Sequence, residues 1–464
     1  MKIKKNYDIL IIGSGLSSLA FTKTLLQKKK IVHIISPQKR DKEETNMINN
    51  HVYKFLPPQM INEKKKVNNY FVINKLKIKK NCKIFGSLEF GGLSNYWALQ
   101  IDQNYKKDIS HLSKKVRDGI SRSFSELFLN KKKNNFLSLK NIKDLKFFEL
   151  FKNDKKMFID YPILGFFNDK KKNLDFKNLN EEKDKLIPKN FYENYLNKKK
   201  IFFHDFSVDK IIKKKGLINV ICKKNNEIKV FKTKKLIIGC GTIATTKLIA
   251  DFLSYKNEIK IKHHPRLFSL YISKNKWKNN LNFQPSIMHL KQKKNPDLFT
   301  ADFRPGNKTI IEALIKLNWF FKPMKPFLNY FRQNLIFSNI FLNSSYSNLF
   351  MKMKKNSWCE IYSKKKDLNN IFKNISKKIF NFFLVQKKIL FFKINHFPGF
   401  GVDFHYFGTI PIKSKKILSV NENCQLKGHK DIYIIDGSVF DFKKNKYPLG
   451  LVMANASRVA KLIK

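Results

Sequence analysis

Arginine is almost missing from this chain. Of 94 basic residues among 464, only Arg40, Arg117, Arg122, Arg266, Arg304, Arg332 and Arg458 are arginine. Acidic residues are sparse too, 35 in all, which leaves a formal net charge of +59. Lys, Phe, Asn and Ile are the residues that A+T-rich codons favour, so codon bias falling on solvated surface positions accounts for most of the lysine. The same bias should enrich Glu, and the shortage of acid is therefore a separate feature. A field of this sign attracts acidic partners and anionic membrane surfaces and is screened by salt. It does not by itself make a nucleic-acid reader. The lysines come as scattered triplets, at 28–30, 131–133 and 198–200, with no recognition motif around them.

Cysteine is scarce and unpaired in spacing. Cys82, Cys222, Cys240, Cys359 and Cys424 stand far apart, which excludes a redox dithiol and a cysteine-rich zinc site. Free thiols in a reducing cytoplasm are expected, with peripheral contact to an anionic membrane as the alternative. No apolar run approaches the ~20 residues that span a bilayer. The run at residues 9–12 is broken by Gly13 and Gly15 and is too short for a signal peptide. His263, His264 and His289 have no acidic or cysteine neighbours in sequence, so no metal site is expected. Hydrophobic residues make up 42%, enough for a core in two or three domains or one large two-part enzyme.

What is present is punctuated by glycine. Residues 7–12 read as a buried strand, 13–18 as a turn, 19–27 as a helix and 31–35 as a second strand. In such a unit Gly13 permits the tight turn, Gly15 lets backbone approach a pyrophosphate, and the helix N-terminus supplies free N–H groups. Ser17 and Ser18 open the helix, with Ser18 as the small third residue of the fingerprint. Ser36 stands where an acid usually binds ribose hydroxyls, and a serine makes that bond without a carboxylate's two-pronged grip.

Further along, Gly91-Gly92-Leu93-Ser94-Asn95 gives a loop whose backbone can touch a planar ligand. Residues 105–200 read as lysine-dense helices and loops. The apolar residues 147–151 and 161–167 read as core. Strands are expected at 201–204, 208–212, 217–221 and 228–231. A separate buried strand at 235–238 then runs into the Gly239-Cys240-Gly241 turn and a helix. Residues 318–328 mix aromatics, prolines and lysines. They read as a core segment rather than a membrane-surface patch.

The last sixty residues carry the densest pattern. His405 stands three residues before Gly408-Thr409, then a strand enters Asp436-Gly437-Ser438, and Pro448 opens a helix. Together these four motifs resemble the glucose-methanol-choline (GMC) family of FAD-dependent oxidoreductases. The resemblance covers about two-fifths of the chain. It implies an α/β fold: a Rossmann-like FAD-binding domain with an inserted α+β substrate domain. Residues 1–104, 200–265 and 401–464 would form the first, and 105–199 and 266–400 the second.

It further implies FAD held by Gly13, Gly15, Ser17, Ser18, Ser36, Gly91, Gly92, Ser94, Asn95, Val208, Gly241, Asp436, Gly437 and Pro448. The family oxidises alcohols and sugar hydroxyls by hydride transfer to flavin N5. His405 would be the base, a role that suits an imidazole whose pKa lies near the working pH. The electron acceptor is left open. The family's second catalytic position, a histidine or asparagine, falls on Tyr447, with Asn445 two residues away. Three rivals stand beside this reading. One is a two-dinucleotide flavin or NAD(P) reductase, for which the turn at 239–241 is too short. The second is a degenerate flavin-binding scaffold, and the third a basic protein that binds nucleic acid or membrane.

Overall fold

Ile9, Leu10, Ile11 and Ile12 are all buried. A run without polar alternation has no solvent face, so it must be covered on both sides. In the computed structural model it forms the strand Asn6–Ile12, in the middle of a mainly parallel sheet. The structure describes residues 6–37, 70–97, 99–129, 135–138, 156–168, 185–188, 190–192, 200–214, 216–274, 276, 288–306, 311, 315, 321–386, 389–443 and 446–463.

The sheet runs in the order Gln425–Leu426, His429–Ile434, Glu227–Ile238, Asn6–Ile12, Val32–Ile35 and Ile201–His204. All neighbours are parallel except the first pair. The register aligns the strand ends. Ile12 pairs with both Ile35 and Ile238, and Ile238 pairs with Ile434. The segments beginning at Gly13, Ser36, Gly239 and Ile435 therefore leave the sheet side by side along one edge.

The strands expected at 228–231 and 235–238 are one continuous strand, Glu227–Ile238. Its first half pairs antiparallel with Leu217–Lys224, and its second half pairs parallel with Asn6–Ile12. Thr233 lets the strand change partners. Its one hydroxyl proton is shared between the Tyr7 and Lys235 carbonyls, so a polar residue sits buried without an unmet bond.

Six α-helices are described: α1 (Leu16–Gln27), α2 (Lys114–Phe124), α3 (Thr242–Phe252), α4 (Lys325–Tyr330), α5 (Asn369–Val385) and α6 (Leu449–Leu462). Helix α1 begins three residues before the apolar periodicity does, because Leu16, Ser17 and Ser18 are already buried. It packs along α6, which in turn packs on α2. Thr24 and Ser457 share a hydroxyl bond of 2.8 Å across the α1–α6 contact.

A second, antiparallel sheet runs in the order Ile389–His396, Arg266–Ser273, Leu335–Leu342, Phe299–Pro305, Met288–Gln292 and Met157–Asp160. Strand Leu335–Leu342 is buried at every position. Helix α5 covers one face of this sheet by setting Phe383 against Tyr271 and Phe303.

Residues 105–200 depart from the expectation of helices and loops. They include the strands Asn135–Ser138, Met157–Asp160 and Ile163–Asn168 beside α2. Met157–Asp160 is short and pairs only with Met288–Gln292, a distant partner that local periodicity does not reveal. Residues 147–151 lie outside the described residues. In the 318–328 segment, Leu328 is buried while Phe327 is exposed, so this stretch is only partly core. Among the described residues no helix is long and apolar enough to cross a membrane.

Lys28 closes the far end of the α1–α6 pair. Its ammonium donates to the carbonyls of Ala460, Lys461 and Ile463 at 3.1, 2.8 and 3.0 Å, where a helix C-terminus is negative and its carbonyls are unpaired. Lys28→Met keeps the stem and removes the charge. It should lower the unfolding free energy by about 0.5–1 kcal/mol. The check is urea denaturation, with a lower midpoint and an unchanged slope expected. An unshifted midpoint would show that these bonds contribute nothing.

Candidate functional site

The turns at the edge of the parallel sheet open onto one long cleft of about 330 Å³. Gly13 has φ +96°, a backbone only glycine adopts readily, and a Cβ on it would lie 2.5 Å from the Gly239 carbonyl oxygen. Gly15 is the N-cap of α1 and has no side chain to cap it, and the first turn carries no acid. Ser94 supplies part of the missing cap, accepting from the Leu16 N–H at 3.1 Å. Gly91 donates its N–H to Ser14 Oγ, which also bonds Ser36 Oγ, both at 2.8 Å. The loop after Phe90 is thereby fastened onto the first glycine turn.

Helices α3 and α6 also point uncapped N-termini at the cleft. Gly241 and Pro448 are their N-caps, with no side-chain bond and no acid in either first turn. Asp436 is buried, and burial raises its pKa despite four accepted bonds. One of its oxygens takes the Gly241 N–H and the Thr245 hydroxyl, and the other takes both donors of Ser438.

At the other end of the cleft His405 follows Phe404, whose φ is +64°. His405 Nδ1 lies 3.4 Å from His264 Nδ1, so one of the two must donate. His264 Nε2 is 2.7 Å from the Phe442 carbonyl, which can only accept. Burial holds the His264 pKa well below the ordinary value, so it carries one proton, on Nε2. His264 Nδ1 is then the acceptor and His405 Nδ1 the donor. This leaves the His405 Nε2 lone pair without a hydrogen-bond partner among the described residues. Burial pushes the His405 pKa down to about 4, against the pull of Asp403. His405 is therefore a neutral imidazole at pH 7 and a weaker base than a working-pH match would give.

Asp403 anchors this arrangement by accepting from His263 Nδ1 at 2.7 Å and the His264 N–H at 2.8 Å. The histidine pair thus has an acidic neighbour in space that lies 140 residues away in the chain. His289 also has polar company, bonding Gln100 through its Nε2. Among the described residues no three His, Cys, Asp or Glu side chains are grouped as metal ligands.

Tyr447 is buried and stacks on His289, with centroids 4.4 Å apart. Its hydroxyl donates to Asp302 Oδ2 at 3.2 Å, and burial raises its pKa well above the ordinary value. The proton that a tyrosine here would offer a substrate is thus engaged by Asp302. Asp302 is also held by Arg304 at 3.0 Å and by the Asn339 backbone at 2.8 Å.

The cleft lining includes Gly13, Gly15, Ser17, Ser36, Gly91, Gly92, Ser94, Val208, Gly241, Asp436, Gly437, Pro448, His405 and Tyr447. Ser18 lies behind it, buried, donating to the Gly239 carbonyl at 3.4 Å. Asn95 is also outside the lining, with its Nδ2 turned back onto the Phe90 carbonyl at 2.7 Å. Asn445 lies outside the described residues. Sequence reading missed His264, Arg266, Gln100, Asp302, Arg304, Asn339 and Asp403. The rarity of arginine and the Asp-x-His spacing before His405 were the only signals for any of them. Comparison with models of known protein families and with curated proteins finds no match to this chain.

The buried histidines set a pH dependence. In the folded state His405 and His289 titrate near 4, whereas an unfolded histidine titrates near 6.5. Below about 6.5 the unfolded chain binds protons first, so stability is full above that pH and falls as pH drops toward 4. One such histidine contributes on the order of 3 kcal/mol across that window. Urea midpoints measured from pH 7.5 down to about 4.5 should fall, and His405→Gln should flatten the slope. A pH-independent midpoint in the wild type would contradict the buried neutral histidines.

Proposed function

We propose that this protein is an FAD-dependent oxidoreductase of the glucose-methanol-choline type, acting on a hydroxyl of an alcohol or sugar. One observation carries the reading. A single cleft is lined by the Gly13-Gly15 turn, the Gly91-Gly92 loop, the Gly239-Gly241 turn and the segment from His405 to Pro448. These stretches are remote in sequence and meet at the carboxyl ends of parallel strands, where open α/β sheets bind dinucleotides.

The residues fit the cofactor. Gly13 and Gly15 leave the backbone bare at a helix N-terminus that Ser94 caps only in part, which suits a pyrophosphate. Val208 and Ser207 line the same cleft on one side, and Gly92 and Ser94 on another. Ser36 would meet the ribose with a hydroxyl already shared with Ser14. Flavin adenine dinucleotide, when bound, supplies the hydride acceptor. In this reading residues 1–104, 200–265 and 401–464 build the cofactor domain, and the antiparallel sheet belongs to the substrate domain.

His405 Nε2 accepts the hydroxyl proton of the substrate. Its other nitrogen is tied through His264 to the Phe442 carbonyl, so the ring enters the reaction in one tautomer and one orientation. Asp403 favours the protonated ring and burial outweighs it, so His405 works as a weak base that gains from its fixed orientation rather than from its basicity. Tyr447 acts through its ring and its bond to Asp302, narrowing the cleft beside His405.

Purified protein should be yellow and should release FAD on denaturation. Anaerobic mixing with a panel of alcohols and sugars should bleach the colour for at least one of them. His405→Ala should keep the colour and slow bleaching by a factor on the order of 10²–10⁴. The acid limb of kcat/KM should lie well below 6.5, toward about 4. Colourless protein that FAD does not reconstitute overturns the proposal. Yellow protein that no hydroxyl compound bleaches makes it a flavin-binding scaffold instead.

A further inference from the structure

Arg266 opens the strand Arg266–Ser273 and lines the cleft with only 8% of its surface exposed. A buried guanidinium normally has a carboxylate. Among the described residues Arg266 has no ion-pair partner. Its one hydrogen bond runs from Nη2 to the Val402 carbonyl at 2.8 Å, and its Nε has no partner. The nearby acids, Asp403 and Asp302, favour its charge from beyond ion-pair distance and spend their bonds on other groups. Asp302 holds Arg304 and Asn339, and Asp403 holds His263 and the His264 N–H. Aromatic faces surround the charge instead, with Phe268 at 4.3 Å and Phe341 and Phe404 at 5.9 Å. Burial brings its pKa down to about 10, which leaves it a cation at neutral pH.

Two further observations aim this charge at a ligand. Phe341 joins it to the proposed base, since the Phe341 ring stacks on His405 at 5.3 Å. Composition adds a second argument. In a chain that places lysine at almost every basic position, two of its seven arginines, Arg266 and Arg304, line this one cleft. Arginine differs from lysine in its planar fork, which matches a carboxylate with two parallel bonds and stacks on aromatic rings.

We propose that Arg266 is a substrate-anion subsite and that the hydroxyl compound oxidised here carries a carboxylate, as a hydroxy acid or a sugar acid does. The inference rests on the reading that this end of the cleft faces substrate. A carboxylate fits better than a phosphate, because a single guanidinium walled by Phe268, Phe341 and Phe404 offers one fork and no second cation for a dianion. Arg304 is the nearest alternative, and its charge is matched by Asp302 at 3.0 Å.

The test is calorimetric titration of the purified full-length protein with benzoate, benzamide and phenyl phosphate, with flavin content read from the absorbance of the same samples. Benzoate should bind at least about tenfold more tightly than benzamide, and more tightly than phenyl phosphate. Arg266→Met should bring the benzoate-to-benzamide ratio to about one, and Arg266→Lys should restore part of it. Equal binding of benzoate and benzamide by the wild type overturns the subsite, as does a preference retained in Arg266→Met. Tighter binding of phenyl phosphate overturns the carboxylate assignment. If Arg266→Met does not fold, the wild-type ratios and the Arg266→Lys ratio still decide. The two proposals fail separately. Yellow protein without carboxylate preference removes only the subsite, and colourless protein with that preference removes only the flavin reading.

Discussion

Gly13 lies so close to Gly239 that it cannot carry a side chain, and Gly239 in turn is crowded by α1. A Cβ on Gly13 would sit 2.5 Å from the Gly239 oxygen, and a Cβ on Gly239 would sit 2.7 Å from Ser18 Oγ. This contact fixes where the first and third glycine turns leave the sheet, and the cleft depends on it. Backbone bonds extend the same edge past the strand ladders: Gly13 to Ile35, Gly239 to Ile12 and Ile435 to Ile238, each 2.9 Å. Asp436 then crosses to the Gly241 N–H and joins the C-terminal segment to the third turn. Four stretches separated by up to four hundred residues become one rigid rim. Side chains lock the rim to a fifth, because Ser14 and Ser94 receive N–H groups from Gly91 and Leu16.

The charge of the chain and the charge of the cleft are different matters. The molecule carries +59, yet the Asp, Glu, Lys and Arg residues lining the cleft are Glu89, Asp302, Asp403 and Asp436 against Lys247, Arg266 and Arg304. Acids are in slight excess there, so the cleft does not share the sign of the whole chain. The relevant electrostatics are local. Helix N-termini without an acid in the first turn favour negative charge beside the glycine turns, and Arg266, which has no ion-pair partner among the described residues, places positive charge beside Phe341 and Phe404.

Local chemistry made the rim legible in the sequence. A buried strand, a glycine turn and a helix are set by neighbouring residues, and residues 7–35 and 235–248 were readable for that reason. The catalytic end was only half legible. His405 stood out through the motif around it, but the groups that orient it come from elsewhere. His264 and Asp403 meet across 139 residues, and Tyr447 meets Asp302 across 145. No periodicity in a single stretch records such pairings. Strand Glu227–Ile238 reads as two in the sequence because its polar middle is satisfied by Tyr7, a residue on another strand. The antiparallel sheet was the least legible part, since strands such as Met157–Asp160 are specified by the partners they find.

The orientation of His405 also explains a local irregularity. Phe404 holds φ +64°, a region that costs a bulky residue about 1–3 kcal/mol. Such strain persists only where the surroundings over-determine it, and they do so on both sides. Asp403 is pinned by His263 and His264. Tyr406 is pinned by its hydroxyl, which donates to Gly401 O at 2.5 Å and accepts from the Phe85 N–H at 3.0 Å. Phe404 itself stacks on Phe85 at 4.5 Å. Relaxing Phe404 would turn the chain between two fixed residues and swing the imidazole away from His264. The strained φ therefore supports the same geometry as the histidine relay: a neutral His405 with one nitrogen spoken for and the other without a hydrogen-bond partner among the described residues. Nine other non-glycine residues among those described also hold positive φ, the buried Leu99 and Cys424 among them, so the backbone at Phe404 fixes the orientation of His405 and leaves its chemistry to the groups that face it.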